Sequence, residues 1–207
     1  ILSTLKAMEY LEQDEETGKY RLGIQVFTLS KALGDTYSIT KIAGPYMQEL
    51  FNITRERVYL AVPYREEVLY LDAMYPAESV ELMRSILGER AQMYCTGIGK
   101  AMLANMNERA IDEYLNSHEL KAFTENSITD KEVFKQELVR TRQRGYAIDD
   151  MEHEFGIKCV AMPIFDRNRN LYAAISISGL ASHFTEEKMS EWAILLKKYI
   201  TKIESRL

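Results

Sequence analysis

Two apolar runs rich in β-branched residues, Ile157 to Phe165 and Leu171 to Gly179, are joined only by Asp166-Arg167-Asn168-Arg169-Asn170, and no other feature constrains this chain as much. So short a polar connection predicts an antiparallel hairpin. Tyr146 to Met151 reads as a shorter strand ahead of it. Arg57 to Val62 and Glu67 to Ala73 flank the polar turn Tyr64-Arg65-Glu66, and Val80 to Ile86 adds a third strand before Gly88-Glu89. Between these strand regions the period becomes helical. Thr96-Gly97-Ile98-Gly99-Lys100 opens a helix through Met106, Asn107 caps another to Asn116, and Thr129 with Glu132 forms a capping box for a helix that stops at Gly145. A final helix follows Thr185, with Met189, Trp192, Ala193, Leu196, Ile200 and Ile203 on one face. Strands, then helices, then strands predict an α+β domain with helices packed on a curved antiparallel sheet.

The front of the chain is organised differently. Leu2, Leu5 and Met8 fall near helical spacing, and Gly18 sits like a hairpin turn between two short strands. Ile24 to Leu33 forms a short helical pattern that Gly34 can end. Ile39, Ile42, Ala43, Met47 and Leu50 make a further stripe, interrupted by Gly44-Pro45. The reading is a linker helix followed by the first helix of a new domain.

Composition narrows the function. The 207 residues are 46% hydrophobic, enough for one or two compact domains, and their net charge of −5 argues against a broad nucleic-acid surface. No apolar run approaches the roughly 20 residues that span a bilayer, and no signal-peptide pattern opens the chain, so a cytoplasmic protein without membrane contact is expected. Cys95 and Cys159 stand far apart. Neither they nor His118, His153 and His183 have metal-ligand spacing, and no Gly-x-Ser-x-Gly elbow or P-loop occurs. No metal, cofactor or catalytic residue is expected.

Several residues could line a site or serve the fold. The amides of Gly97 and Ile98, at a helix start, either enter an ordinary capped turn or hold an anion. Asp149 reads as a solvated or capping carboxylate, and Cys159, among Val and Ala, as a small buried hydrophobe. Ser176 and Ser178 share one strand face, where their hydroxyls either bond neighbouring backbone or offer two donors to a carboxylate.

The motifs also resemble a known family. Leu5, Met8, Glu9, Tyr10 and Leu11, followed by Thr17-Gly18-Lys19-Tyr20-Arg21-Leu22-Gly23, resemble the end of the recognition helix and the wing of an IclR-family winged helix-turn-helix. Cys95-Thr96-Gly97-Ile98-Gly99-Lys100-Ala101-Met102-Leu103-Ala104 resembles the glycine loop of that family's effector domain. Gly145 to Glu152, Gly156 to Ile164 and Ala174 to Gly179 follow in the family's order and spacing.

The resemblance implies a GAF-like effector domain over 37–207, a linker helix over 24–36, and over 1–23 the C-terminal remnant of the DNA-binding domain. It implies a homodimeric or tetrameric transcription regulator, responsive to a small carboxylate effector. Gly97, Ile98, Asp149, Cys159, Ser176 and Ser178 would line the effector cavity, giving about four donors around an anion without any Arg or Lys. It also implies that the first DNA-binding helices lie upstream of Ile1. In the remaining wing Lys19 and Arg21 are weak DNA contacts, because acidic residues surround them. Two other readings remain: a cysteine-dependent enzyme on a GAF-like fold, with His153 activating Cys159, and a pure dimerisation module.

Overall fold

A computed structural model describes residues 1–36, 38–76 and 87–207. The expected strand Val80 to Ile86 lies outside the described residues. Ile1–Lys41 and Ile42–Leu207 form separate compact units. In the first, helix α1 (Leu2–Ala7) precedes strands β1 (Leu11–Gln13) and β2 (Tyr20–Leu22), which pair antiparallel with Glu12 opposite Arg21. The turn between them forms because Asp14 Oδ1 accepts from the Thr17 amide at 2.7 Å and its hydroxyl at 2.8 Å. Gly18 then takes a φ of 67°, which glycine adopts without a Cβ clash. Helix α2 (Gln25–Thr36) runs through Gly34, where the helix was expected to stop. Glycine lowers helix propensity by only about 1 kcal/mol and does not forbid helical dihedrals.

Helix α3 (Ser38–Thr54) likewise continues through Pro45. Burial of Ala43, Tyr46, Met47 and Leu50 along its length outweighs the hydrogen bond that proline cannot make. The remaining elements are β3 (Arg57–Tyr64), β4 (Glu67–Met74), β5 (Arg90–Gln92), α4 (Gly97–Leu103), α5 (Glu108–Ser117), α6 (Lys131–Arg144), β6 (Ala147–Asp150), β7 (Ile157–Phe165), β8 (Leu171–Leu180) and α7 (Glu186–Glu204). Strand β5 was not anticipated, since three residues beside Gly88 carry too little alternation to register. Helix α4 ends at Leu103, short of Met106. Helix α6 is capped by Asp130, whose carboxylate accepts from the Val133 amide, and not by Thr129. An ionised acceptor suits the positive end of a helix better than a hydroxyl.

Six strands form one antiparallel sheet in the order β5-β4-β3-β8-β7-β6. The predicted hairpin is its β7–β8 pair, and β8 also pairs β3, bringing the early and late strand regions into one layer. Alternation then sorts the side chains. Ala61, Ala147, Ala161 and Ala174 share a core with Ala101, Met102, Phe134 and Leu138, so helices α4 and α6 lie close on a floor of small residues. Val58, Leu60, Val160, Ile175 and Ile177 point the other way and are buried too. Helix α7, capped by Thr185 as its sequence predicts, packs against β7 and β8.

Candidate functional site

Register builds the site one cross-strand row at a time. Arg57 of β3 lies opposite Ser178 of β8, Ser178 opposite Cys159 of β7, and Cys159 opposite Asp149 of β6. The next row on the same face runs from Tyr59 through Ser176 to Ala161. Where the small alanines give way to these polar residues, helix α4 leaves a cavity of about 180 Å³. Gly97, Ile98, Asp149, Cys159, Ser176 and Ser178 all line it. Lys19 and Arg21 belong to the first unit, where Arg21 Nη2 meets Glu12 Oε2 at 2.7 Å.

Local geometry decides what each group can offer. Thr96 caps α4 by accepting from the Gly99 amide at 3.1 Å, and the Gly97 amide is turned onto the Cys159 sulfur. Of the expected amide pair, Ile98 alone is left for a ligand by helix geometry. A side chain at position 97 would collide with Cys159 Sγ, so glycine is required there for close approach. Ser176 and Ser178 are 2% and 7% exposed, and among the described residues neither hydroxyl has a hydrogen-bond partner.

Asp149 is partly committed to the fold. One of its oxygens accepts from the Glu152 amide at 2.8 Å, closing the turn after β6. Outside that turn, Thr124 Oγ1 donates to the Met151 carbonyl and Ser127 Oγ to the Glu152 carbonyl, each at 2.6 Å. Burial pushes the Asp149 carboxyl up to about 6, although the Lys100 charge and the turn amides pull it down. Lys100 and Glu152 form a buried ion pair beneath this turn. Burial raises Glu152 to about 7 against the Lys100 charge, and its Oε2 has no partner among the described residues.

Both thiols stay protonated. Burial drives Cys159 far above the ordinary thiol range, with the Asp149 charge acting in the same direction, and drives Cys95 up to about 12. His153, on the rim, is held below its usual value by desolvation. Among the described residues no hydrogen bond joins His153 to Cys159, and a thiol held protonated by burial lacks the electropositive setting of an activated cysteine. The geometry therefore disfavours the cysteine-enzyme reading.

Several lining residues were missed in the sequence. Tyr59 and Tyr70 meet edge to face with ring centroids 5.7 Å apart and wall one side. Arg57 and Arg90 also reach the lining, correcting the expectation of a cavity without Arg or Lys. The signal was period two: Arg57 and Tyr59 share a face, but only the β3–β8 register places that face over the serines.

A second hollow of about 240 Å³ opens where β6 stops short and β7 runs on beside α4, α6 and α7. Three of its polar groups serve the protein itself. Arg142 Nε donates to the Ala104 carbonyl at 2.7 Å, Glu204 accepts from the Phe165 amide at 2.9 Å, and Thr201 Oγ1 donates to the Lys197 carbonyl at 2.9 Å. Among the described residues no group of three or more metal-ligating side chains occurs, and no helix is long and apolar enough to cross a membrane.

Residues 31–205 match the family described as bacterial transcriptional regulator IclR C-terminal. The HTH-type transcriptional regulator KdgR of Escherichia coli K12 is 32% identical over 210 residues, covering 100% of this chain and 78% of that protein. The crystal structure of Thermotoga maritima IclR has a TM-score of 0.86 at 35% identity, covering 100% of this chain and 83% of the other. An IclR homolog from Microbacterium hydrocarbonoxydans complexed with 4-hydroxybenzoate has a TM-score of 0.85 at 24% identity, over 99% of this chain and 82% of that one. These neighbours share the GAF-like α+β fold, and the similar sequences are named regulators and repressors, not enzymes.

Proposed function

The chain belongs to the IclR family of bacterial transcriptional regulators, which bind DNA and small-molecule effectors, and on that premise we propose that its cavity takes a small anionic metabolite. A keto, hydroxy or sugar acid fits, bound so that occupancy sets the affinity of the regulator for DNA. The observation that most supports this reading is the pair of serine hydroxyls, without a hydrogen-bond partner among the described residues, on one strand face lining an open cavity. Two donors side by side on the lining are placed to be shared by one acceptor. A carboxylate accepts from both, and such charge-assisted bonds are short and strong. The Ile98 amide adds a donor, and the Asp149 carboxylate can accept from a ligand hydroxyl. The 4-hydroxybenzoate in the Microbacterium homolog carries the same two chemical groups, an acid and a hydroxyl.

In this reading residues 1–23 are the end of a winged helix-turn-helix with Lys19 and Arg21 as minor DNA contacts, 24–36 link it, and 37–207 form the effector domain of a homodimer or tetramer. Effector binding favours one assembly state over another, and the differential affinity is the regulatory signal. A thermal-shift screen of small keto, hydroxy and sugar acids tests the binding step, because a ligand of the native state raises its stability. A rise in melting temperature with at least one acid is expected. No rise with any of them at millimolar concentration rejects the reading. Light scattering should show at least a dimer, and a 24 kDa monomer at tens of micromolar argues against the assembly step.

A further inference from the structure

We propose that Arg57 is the specificity-determining residue of this cavity, taking the effector's carboxylate together with Ser178 and so selecting hydroxy acids, with their hydroxyl toward Asp149. This rests on the acid-binding reading above and names the ligand within it.

Arg57 opens strand β3, half-buried, in the same cross-strand row as Ser178, Cys159 and Asp149. Among the described residues no carboxylate forms an ion pair with it; its guanidinium sits beside the Tyr59 hydroxyl. The other arginine on the lining is committed elsewhere, since Arg90 Nη1 meets Glu67 Oε2 at 3.0 Å. A guanidinium is a rigid fork of donors matched to a carboxylate, which a neutral hydroxyl or amide cannot replace. Beside it, Ser178 supplies a further donor at the same end of the row.

The opposite end has the opposite chemistry. Asp149 is an acceptor held by the Glu152 and His153 amides, so a ligand group that meets it must be a donor such as an alcohol. A second carboxylate there would meet like charge. The four strands of the row are three steps of about 4.8 Å apart, roughly 14 Å between the outer Cα atoms at most. That span takes a short carbon skeleton joining an acid to a hydroxyl. Tyr59 and Tyr70 provide the apolar wall that such a skeleton would lie against.

The test is titration calorimetry of glycerate, gluconate and 4-hydroxybenzoate, each beside its uncharged primary amide, on the wild type, Arg57→Met, Arg57→Lys and the Ser176→Ala/Ser178→Ala double variant. The wild type should bind at least one acid at least tenfold more tightly than its amide. Arg57→Met should erase that preference by weakening the acid alone, and Arg57→Lys should restore part of it. Unliganded melting curves identify any variant that fails to fold. If Arg57→Met leaves the acid preference intact while the double serine variant loses binding, this proposal falls and the acid-binding reading stands. If no acid binds the wild type, or the serine variant binds normally, both fall.

Discussion

Two hollows of the larger unit, the one beside α7 and the cavity over β8, differ in a way that volume does not reveal. The one between α4, α6 and α7 is the roomier at about 240 Å³, against about 180 Å³ for the cavity over β8. Yet Arg142, Thr201 and Glu204 in the larger hollow each complete a bond to the protein's own backbone. In the smaller cavity neither serine hydroxyl has a partner among the described residues, and Arg57, bonded to the Tyr59 hydroxyl, has no carboxylate partner among them. Under the proposed function, groups left open to the cavity are offered to a ligand, whereas groups bonded to the backbone tie packed elements together.

That contrast rests first on the buried support beneath the cavity. Replacing Lys100 by Met orphans the Glu152 carboxylate, and breaking a buried pair in this way costs about 3–5 kcal/mol. Chemical denaturation of Lys100→Met should show the largest stability loss of any variant discussed here. A loss under 1 kcal/mol would mean that Glu152 simply takes up a proton and that the pair contributes little rigidity.

Asp149 offers a pH-dependent test of the same wall. Its folded value of about 6 stands above the ordinary 3.8, so the native state binds the proton more tightly than the unfolded chain. The associated stability is complete below about pH 4 and is lost as pH rises through about 6. Asp149→Asn cannot lose it. The variant should match the wild type near pH 4 and exceed it by up to about 3 kcal/mol above pH 7. Parallel stability curves across that range would contradict the burial of a charged carboxylate.

The serines should separate binding from folding. Ser176→Ala or Ser178→Ala removes a charge-assisted bond of roughly 1.5–3 kcal/mol, a ten- to hundredfold loss of acid affinity, with little change in unliganded melting temperature. Unchanged affinity in both would place the pocket elsewhere. The smallest effect belongs to the other hollow: Glu204→Gln weakens one bond to the Phe165 amide, worth about 0.5–1.5 kcal/mol of stability, and should leave acid affinity unaltered. An affinity change there would erase the distinction between the two hollows.

Much of this is legible in the sequence. The β7–β8 hairpin, the α7 face and the shared face of Ser176 and Ser178 follow from local period and turn chemistry, and all six expected cavity residues line one space. What stayed hidden depends on pairing between distant segments. Arg57, following Arg55-Glu56, reads locally as one more solvated charge, and only β3–β8 register sets it beside Ser178. Lys100 and Glu152 each fall in ordinary polar positions, and their pairing is a product of α4 lying across β6 and β7. Pro45 and Gly34 misled because punctuation residues weaken a helix without always ending it.

The β3–β8 pairing also bears on how the chain reaches its native state. Strands β3 with β4, and β7 with β8, are neighbours in sequence and close over short turns, whereas the strip joining them brings together distant parts of the polypeptide. Such distant closure is entropically slow, because the loop must be ordered before its contacts stabilise it. Arg57 and Ser178 face each other across that slow junction, so the cavity has no existence in a half-folded chain. An effector held between them would act as a clasp on the last join of the sheet, slowing its opening, and hydrogen exchange at Val58 and Ile177 would register the clasp long before global unfolding does.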